Sequence, residues 1–126
     1  MQPTSIKKGT GNYGEWKSTL SFYKDELVIF KNRLTEIVQK NNGKEIMQQV
    51  EHFENQFLVQ SEKIDILQHD INVHLNTMAQ DVQQHAGHIS TAALAEDSKL
   101  REQFESESRI YEALKTEFMQ FLSKVM

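Results

Sequence analysis

The stretch Glu45-Ile46-Met47-Gln48-Gln49-Val50-Glu51-His52-Phe53-Glu54-Asn55-Gln56-Phe57-Leu58-Val59-Gln60-Ser61-Glu62-Lys63-Ile64-Asp65-Ile66-Leu67 decides the fold. Apolar or aromatic residues fall at Ile46, Val50, Phe53, Phe57, Ile64, Leu67, Ile71 and Met78, stepping alternately by four and three, with Gln60 and His74 at the two polar steps. That alternation is a heptad seam along one side of a helix. A helix from Lys44 to the run before His85 would be roughly 60 Å long at ~1.5 Å per residue, longer than a small domain is wide, so it needs partners along its length.

The chain supplies one on each side. Before this stretch, Trp16, Leu20, Tyr23, Leu27, Phe30, Leu34 and Ile37 repeat the same four-three step without a polar break. After it come Leu100, Phe104, Glu107, Tyr111, Leu114, Phe118, Phe121 and Val125. Asn41-Asn42-Gly43 suits a helix stop, because Asn and Gly tolerate the backbone of a helix C-terminus, and so short a connection forces the next helix to run back antiparallel. His85-Ala86-Gly87-His88-Ile89-Ser90 reads as the second break, and Ser90, Thr91 and Asp97 are each suited to cap the third helix. The expected fold is therefore all-α, an elongated antiparallel three-helix bundle with coiled-coil-like heptad seams and helices over 15–41, 44–84 and 95–125. Residues 1–14, with Pro3 and three of the five glycines, read as a flexible N-terminal arm, and 15–126 as the bundle.

Folding the chain about residue 42 places Trp16 near Gln68, Tyr23 near Val59 and Gln60, and Leu34 near Val50. Folding it about residue 89 sets Phe104 beside His74, Tyr111 beside Leu67 and Phe118 beside Gln60. On this register the first helix ends at about residue 70 of the second. Ile71, Val73, Leu75, Met78 and Val82 are then left with a single neighbouring helix.

Composition narrows the classes of function. The chain has no cysteine, which removes disulfide frameworks and thiolate metal sites. Nothing in residues 1–10 resembles a secretory signal, and no apolar run approaches a membrane span, so a soluble, cytoplasmic protein is expected. The net charge of −4 disfavours nucleic acid as a partner. Residues 12–43 carry five Lys and Arg against four Asp and Glu, residues 44–90 two against seven, and residues 91–126 five against seven. The middle helix is thus the acidic one, and its best electrostatic neighbour is the first.

Chemistry-bearing constellations are sparse. All five histidines fall between His52 and His88, and Asp65–His69, Asp70–His74 and Asp81–His85 share i, i+4 spacing. His74, Asp81, His85 and His88 would lie along one continued seam, an arrangement that could hold a divalent metal, although Asp–His at this spacing is also an ordinary surface pair. No histidine has an acidic residue three positions before it, as the Glu-x-x-His of di-iron bundles requires, and no nucleophile elbow or phosphate-cradling loop is present. No catalytic residue, cofactor site or enzymatic activity is expected.

The polar seam residues Gln60, His74 and Glu107 read first as register markers, since a slipped pairing would leave them without a partner. A pH-sensitive contact between His74 and Glu107 is the functional alternative. Phe22 and Ile29 on the first helix, and Val59, Ile66 and Val73 on the second, repeat every seven residues on a flank away from the main seam. They either widen the buried face, as a helix with two neighbours needs, or form an exposed strip that pairs with a second copy of the chain.

The run from Trp16 to Leu27, then Arg33-Leu34, then Glu51-His52-Phe53-Glu54-Asn55-Gln56-Phe57, resembles a group of small bacterial helical-bundle proteins with no assigned activity. The resemblance extends over most of residues 15–125 and implies a helical hairpin with a third helix; it brings no substrate and no site residue. The reading that results is a non-enzymatic helical scaffold or interaction protein, associating with itself, most simply as a homodimer, or with a partner protein. A small bundle binding a divalent metal through the His/Asp-rich segment 65–88 is the alternative.

Overall fold

The computed structural model describes residues 13–84 and 90–126. Three helices account for nearly all of them: α1 (Tyr13–Lys40), α2 (Lys44–Gln84) and α3 (Thr91–Val125), with no strand among the described residues. The expected all-α three-helix bundle is what forms. α1 begins at Tyr13, which is buried, so the boundary lies two residues ahead of the expected one, and residues 1–12 of the expected arm lie outside the described residues.

The heptad seams become the core. Leu20, Leu34, Ile37, Val50, Phe53, Phe57, Ile64, Ile71, Leu100, Tyr111 and Phe118 are almost wholly shielded from solvent. α1 and α3 run parallel, and their aromatic contacts repeat every seven residues on both: Trp16 stacks on Phe104 at 5.3 Å between ring centroids, Tyr23 on Tyr111 at 4.0 Å, and Phe30 meets Phe118 at 5.1 Å. Phe118 also contacts Phe53, Phe57 and Phe121, so five phenylalanines fill the bundle toward the 41–43 turn. Offset and edge-on rings of this kind contribute beyond the area they bury.

The helix register differs from the sequence expectation at both turns. Gln68 donates to Ser21 at 3.2 Å and Tyr13 meets His74, so α1 covers α2 about one turn further than the fold about residue 42 implied. Side chains lean toward the N-terminus of their own helix, which in α1 is away from this turn and in α2 toward it, and the contacting pairs are displaced accordingly. Ile71 is consequently buried, and Leu75 and Met78 pack against the core; α2 keeps α1 as a neighbour as far as His74, and Val73 and Val82 stay exposed.

Between α2 and α3 the correction is larger, seven residues at one pair and eleven at the other. His74 faces Asp97 rather than Phe104, and Gln60 faces Glu107 rather than Phe118. The cause is local: α3 starts at Thr91, not near residue 95, and Ser90 is its N-cap. Ser90 Oγ accepts from the Ala93 N–H at 3.1 Å and donates to Asp81 Oδ2 at 2.6 Å, while the Ser90 N–H donates to the same oxygen at 3.2 Å. Asp81 thereby pins the start of α3 level with itself, and the last turn of α2 overhangs that point.

Candidate functional site

Two buried polar pairs and one half-buried network join the helices. Nearest the middle of α2, Gln60 and Glu107 face each other, both nearly inaccessible to solvent. With its nitrogen toward Glu107 the Gln60 amide donates to both carboxylate oxygens, at 3.2 Å for Oε1. Burial pushes the Glu107 pKa up to about 7 against a smaller opposing pull from the Lys63 charge. The amide suits either protonation state, since its nitrogen can donate to the carboxylate and its oxygen can accept from the neutral acid.

Toward the second turn, His74 and Asp97 are buried with Nε2 and Oδ1 3.6 Å apart, too far for a hydrogen bond. Burial lowers the His74 pKa and raises that of Asp97, so both are driven toward their neutral forms. The Tyr13 ring stands edge-on to the imidazole at 5.7 Å and closes this end of the core. Between α1 and α3, Glu26 accepts from Tyr111 Oη at 2.9 Å and from Lys115 Nζ at 2.8 Å, and Tyr23 donates to Ser108 at 3.3 Å. Burial, then the Glu26 carboxylate, raises the Tyr111 phenol far above its ordinary range, which keeps it a donor at any physiological pH.

The sequence candidates separate on this frame. His74 and Glu107 are not a pair, because the shifted register gives each a different partner. Of the four candidate metal ligands, His74 lies against Asp97, Asp81 holds the Ser90 cap, and His85 and His88 lie outside the described residues. Asp65 is joined to Lys24 at 2.6 Å across α1 and α2. Among the described residues no group of three or more His, Asp or Glu side chains is placed to hold a metal ion. Sequence reasoning missed Asp97 and Tyr13 as seam residues. Continuing the four-three step backward from Leu100 reaches Asp97 and Ala93, and one step before Trp16 reaches Tyr13.

The flank residues are exposed, so they do not widen the core. Phe22 and Ile29 on α1 are 53% and 58% exposed, and Val59, Ile66 and Val73 on α2 are 40%, 62% and 50% exposed. They border different clefts. The Lys115 ammonium lies 5.8 Å from the Phe22 ring centroid, which puts Phe22 beside α3 at the α1/α3 edge and partly occupies it. Ile66 instead lines a cleft of about 750 Å³ between α2 and α3, with Lys63, Leu67 and Asp70 from α2 and Gln103, Ser106 and Ile110 from α3. Glu107 lies at its base, and Ile110 is itself 41% exposed. Further along, Val73 borders a second cleft against Ala92, Ala93 and Glu96. Val59, Ile66 and Val73 thus run along the α2/α3 edge of the bundle over about 21 Å, at ~1.5 Å per residue.

No family model, curated protein or solved structure matches this chain. No helix among the described residues is long and apolar enough to cross a membrane.

Proposed function

We propose that this protein is a soluble, cytoplasmic, non-enzymatic helical interaction module whose α2/α3 face receives a further amphipathic helix from a partner protein or from a second copy of itself. The observation that carries this reading is the lane of Val59, Ile66 and Val73 on α2, exposed beside a cleft walled on the far side by Ile110. Apolar side chains at heptad spacing on a rigid helix are the form in which one helix presents itself to another. The bundle has no need of them: its own seams close without these side chains. The buried and half-buried titratable groups support the reading in another way. Glu107, Asp97, His74, Tyr111 and Glu26 each face another polar group across the core, where they fix which helices pair and in what register.

A photo-crosslinking residue at position 66 tests this in the native cell. A discrete adduct at 66, absent when the same residue stands at the exposed Lys31 position of α1, is expected. No adduct at 66, or equal labelling at both positions, would remove the reading.

A further inference from the structure

The α2 lane is self-complementary. Ile66 stands at its centre, with Val59 and Val73 seven residues to either side. Between them lie Glu62 and Lys63 on one side and His69 and Asp70 on the other. Lys63 and Asp70 line the cleft shared with α3, so they occupy the flank of the lane nearer α3, while Glu62 and His69 occupy the opposite flank at 100° per residue.

Resting on the reading above, we propose that the helix received by this face is α2 of a second copy, packed antiparallel about a two-fold axis that passes beside Ile66. The axis carries each flank onto the same flank of the partner while reversing direction along the helix. Ile66 therefore meets the partner's Ile66, and Val59 meets the partner's Val73. Lys63 comes level, within about one residue's rise of 1.5 Å, with the partner's Asp70, and Glu62 likewise with the partner's His69. Every charge near the axis meets one of opposite sign, or an imidazole able to become so. This is how a helix with seven acidic and two basic residues over 44–84 can pair with itself. The same operation brings α3 of both copies to the Lys63 flank, where the exposed Ile110 adds apolar surface, so the contact is a four-helix layer of α2 and α3 from each copy. The Phe22–Ile29 strip offers no such pairing of opposite charges, since Asp25 and Glu26 lie at its midpoint, and the Lys115 ammonium stands beside Phe22.

Sedimentation equilibrium of the full chain, from low micromolar to near-millimolar concentration, tests the pairing. The wild type is expected to pass from monomer to dimer. Ile66→Glu is expected to stay monomeric with an unchanged circular dichroism spectrum, because the side chain is 62% exposed in the single chain. Lys63→Asp and Asp70→Lys each place like charges across the axis and should weaken the homodimer about tenfold or more. Mixed in equal amounts they restore both ion pairs, and a mass-tagged heterodimer should form more tightly than either homodimer. A monomer at all concentrations, a dimer indifferent to Ile66→Glu, or a mixture that associates no better than its components would each overturn the proposal. A monomeric wild type that still crosslinks through position 66 to a different protein would retain the interaction reading and remove only self-pairing; absence of both would remove both.

Discussion

The Glu107 carboxyl, buried against Gln60, has a pKa pushed up to about 7 by its surroundings, whereas in the unfolded chain it titrates near 4.5. Between those values the folded state holds more protons than the unfolded one, so this group's contribution is full below about 4.5 and is lost as pH rises through about 7. The contribution at stake is on the order of 3 kcal/mol. Glu107→Gln should be the more stable protein at pH 8 and should lose its advantage at pH 4, measured by urea melts of both proteins at the two values. A wild type and variant with parallel profiles would mean that the carboxyl is solvated. Burial at Phe57 works differently, because nothing there titrates. Its ring contacts Phe30, Phe53 and Phe118, and Phe57→Ala should cost ~3 to 5 kcal/mol through the cavity left among them. Lys31→Ala, on the exposed face of α1, should cost less than about 0.5 kcal/mol in the same melts.

At the scale of the element, the cap of α3 shows what a single hydroxyl fixes. Ser90 satisfies the Ala93 N–H and is itself held by Asp81, so the hydroxyl ties the start of one helix to the end of another. Ser90→Ala should cost ~1 to 2 kcal/mol, and Ser90→Asp should recover less than usual for a cap, because the new carboxylate would face that of Asp81. A variant in which Ser90→Asp is as stable as the wild type would show that the Asp81 contact does not matter. The same contact explains why the helices were legible in the sequence and their register was not. Trp16 to Ile37, Ile46 to Met78 and Leu100 to Val125 each repeat at four and three, which identifies the faces that meet. A seam of alternating four and three steps looks much the same after a slip of seven or of eleven residues, however, and those are the amounts by which Phe104 and Phe118, the expected partners of His74 and Gln60, differ from Asp97 and Glu107. What breaks the degeneracy is a hydrogen bond between Asp81 and Ser90 across the turn, and three residues in that region were equally suited to cap. Exposure of Val59, Ile66 and Val73 was open for a related reason. A helix with two neighbours needs a wide apolar face, and only the placement of α3 determines how wide.

For the molecule as a whole, association and stability are one measurement. If two copies pair through α2, the folded dimer is favoured by mass action over unfolded monomers, and the midpoint of thermal unfolding rises with protein concentration. Three helices of 28, 41 and 35 residues packed on one core should otherwise unfold as a single cooperative unit, with a midpoint independent of concentration. Ile66→Glu separates these cases without disturbing the core, since Ile64, Leu67 and Ile71 carry the seam beside it. Thermal melts at concentrations a hundredfold apart should shift by several degrees for the wild type and not at all for Ile66→Glu, with both proteins converging at the dilute end. Lys63→Asp should shift less than the wild type, and an equal mixture of Lys63→Asp with Asp70→Lys should regain the full concentration dependence. A shift of equal size in all four samples would place the association on another surface, and the exposed α1 edge at Phe22 and Ile29 would be the next to mutate.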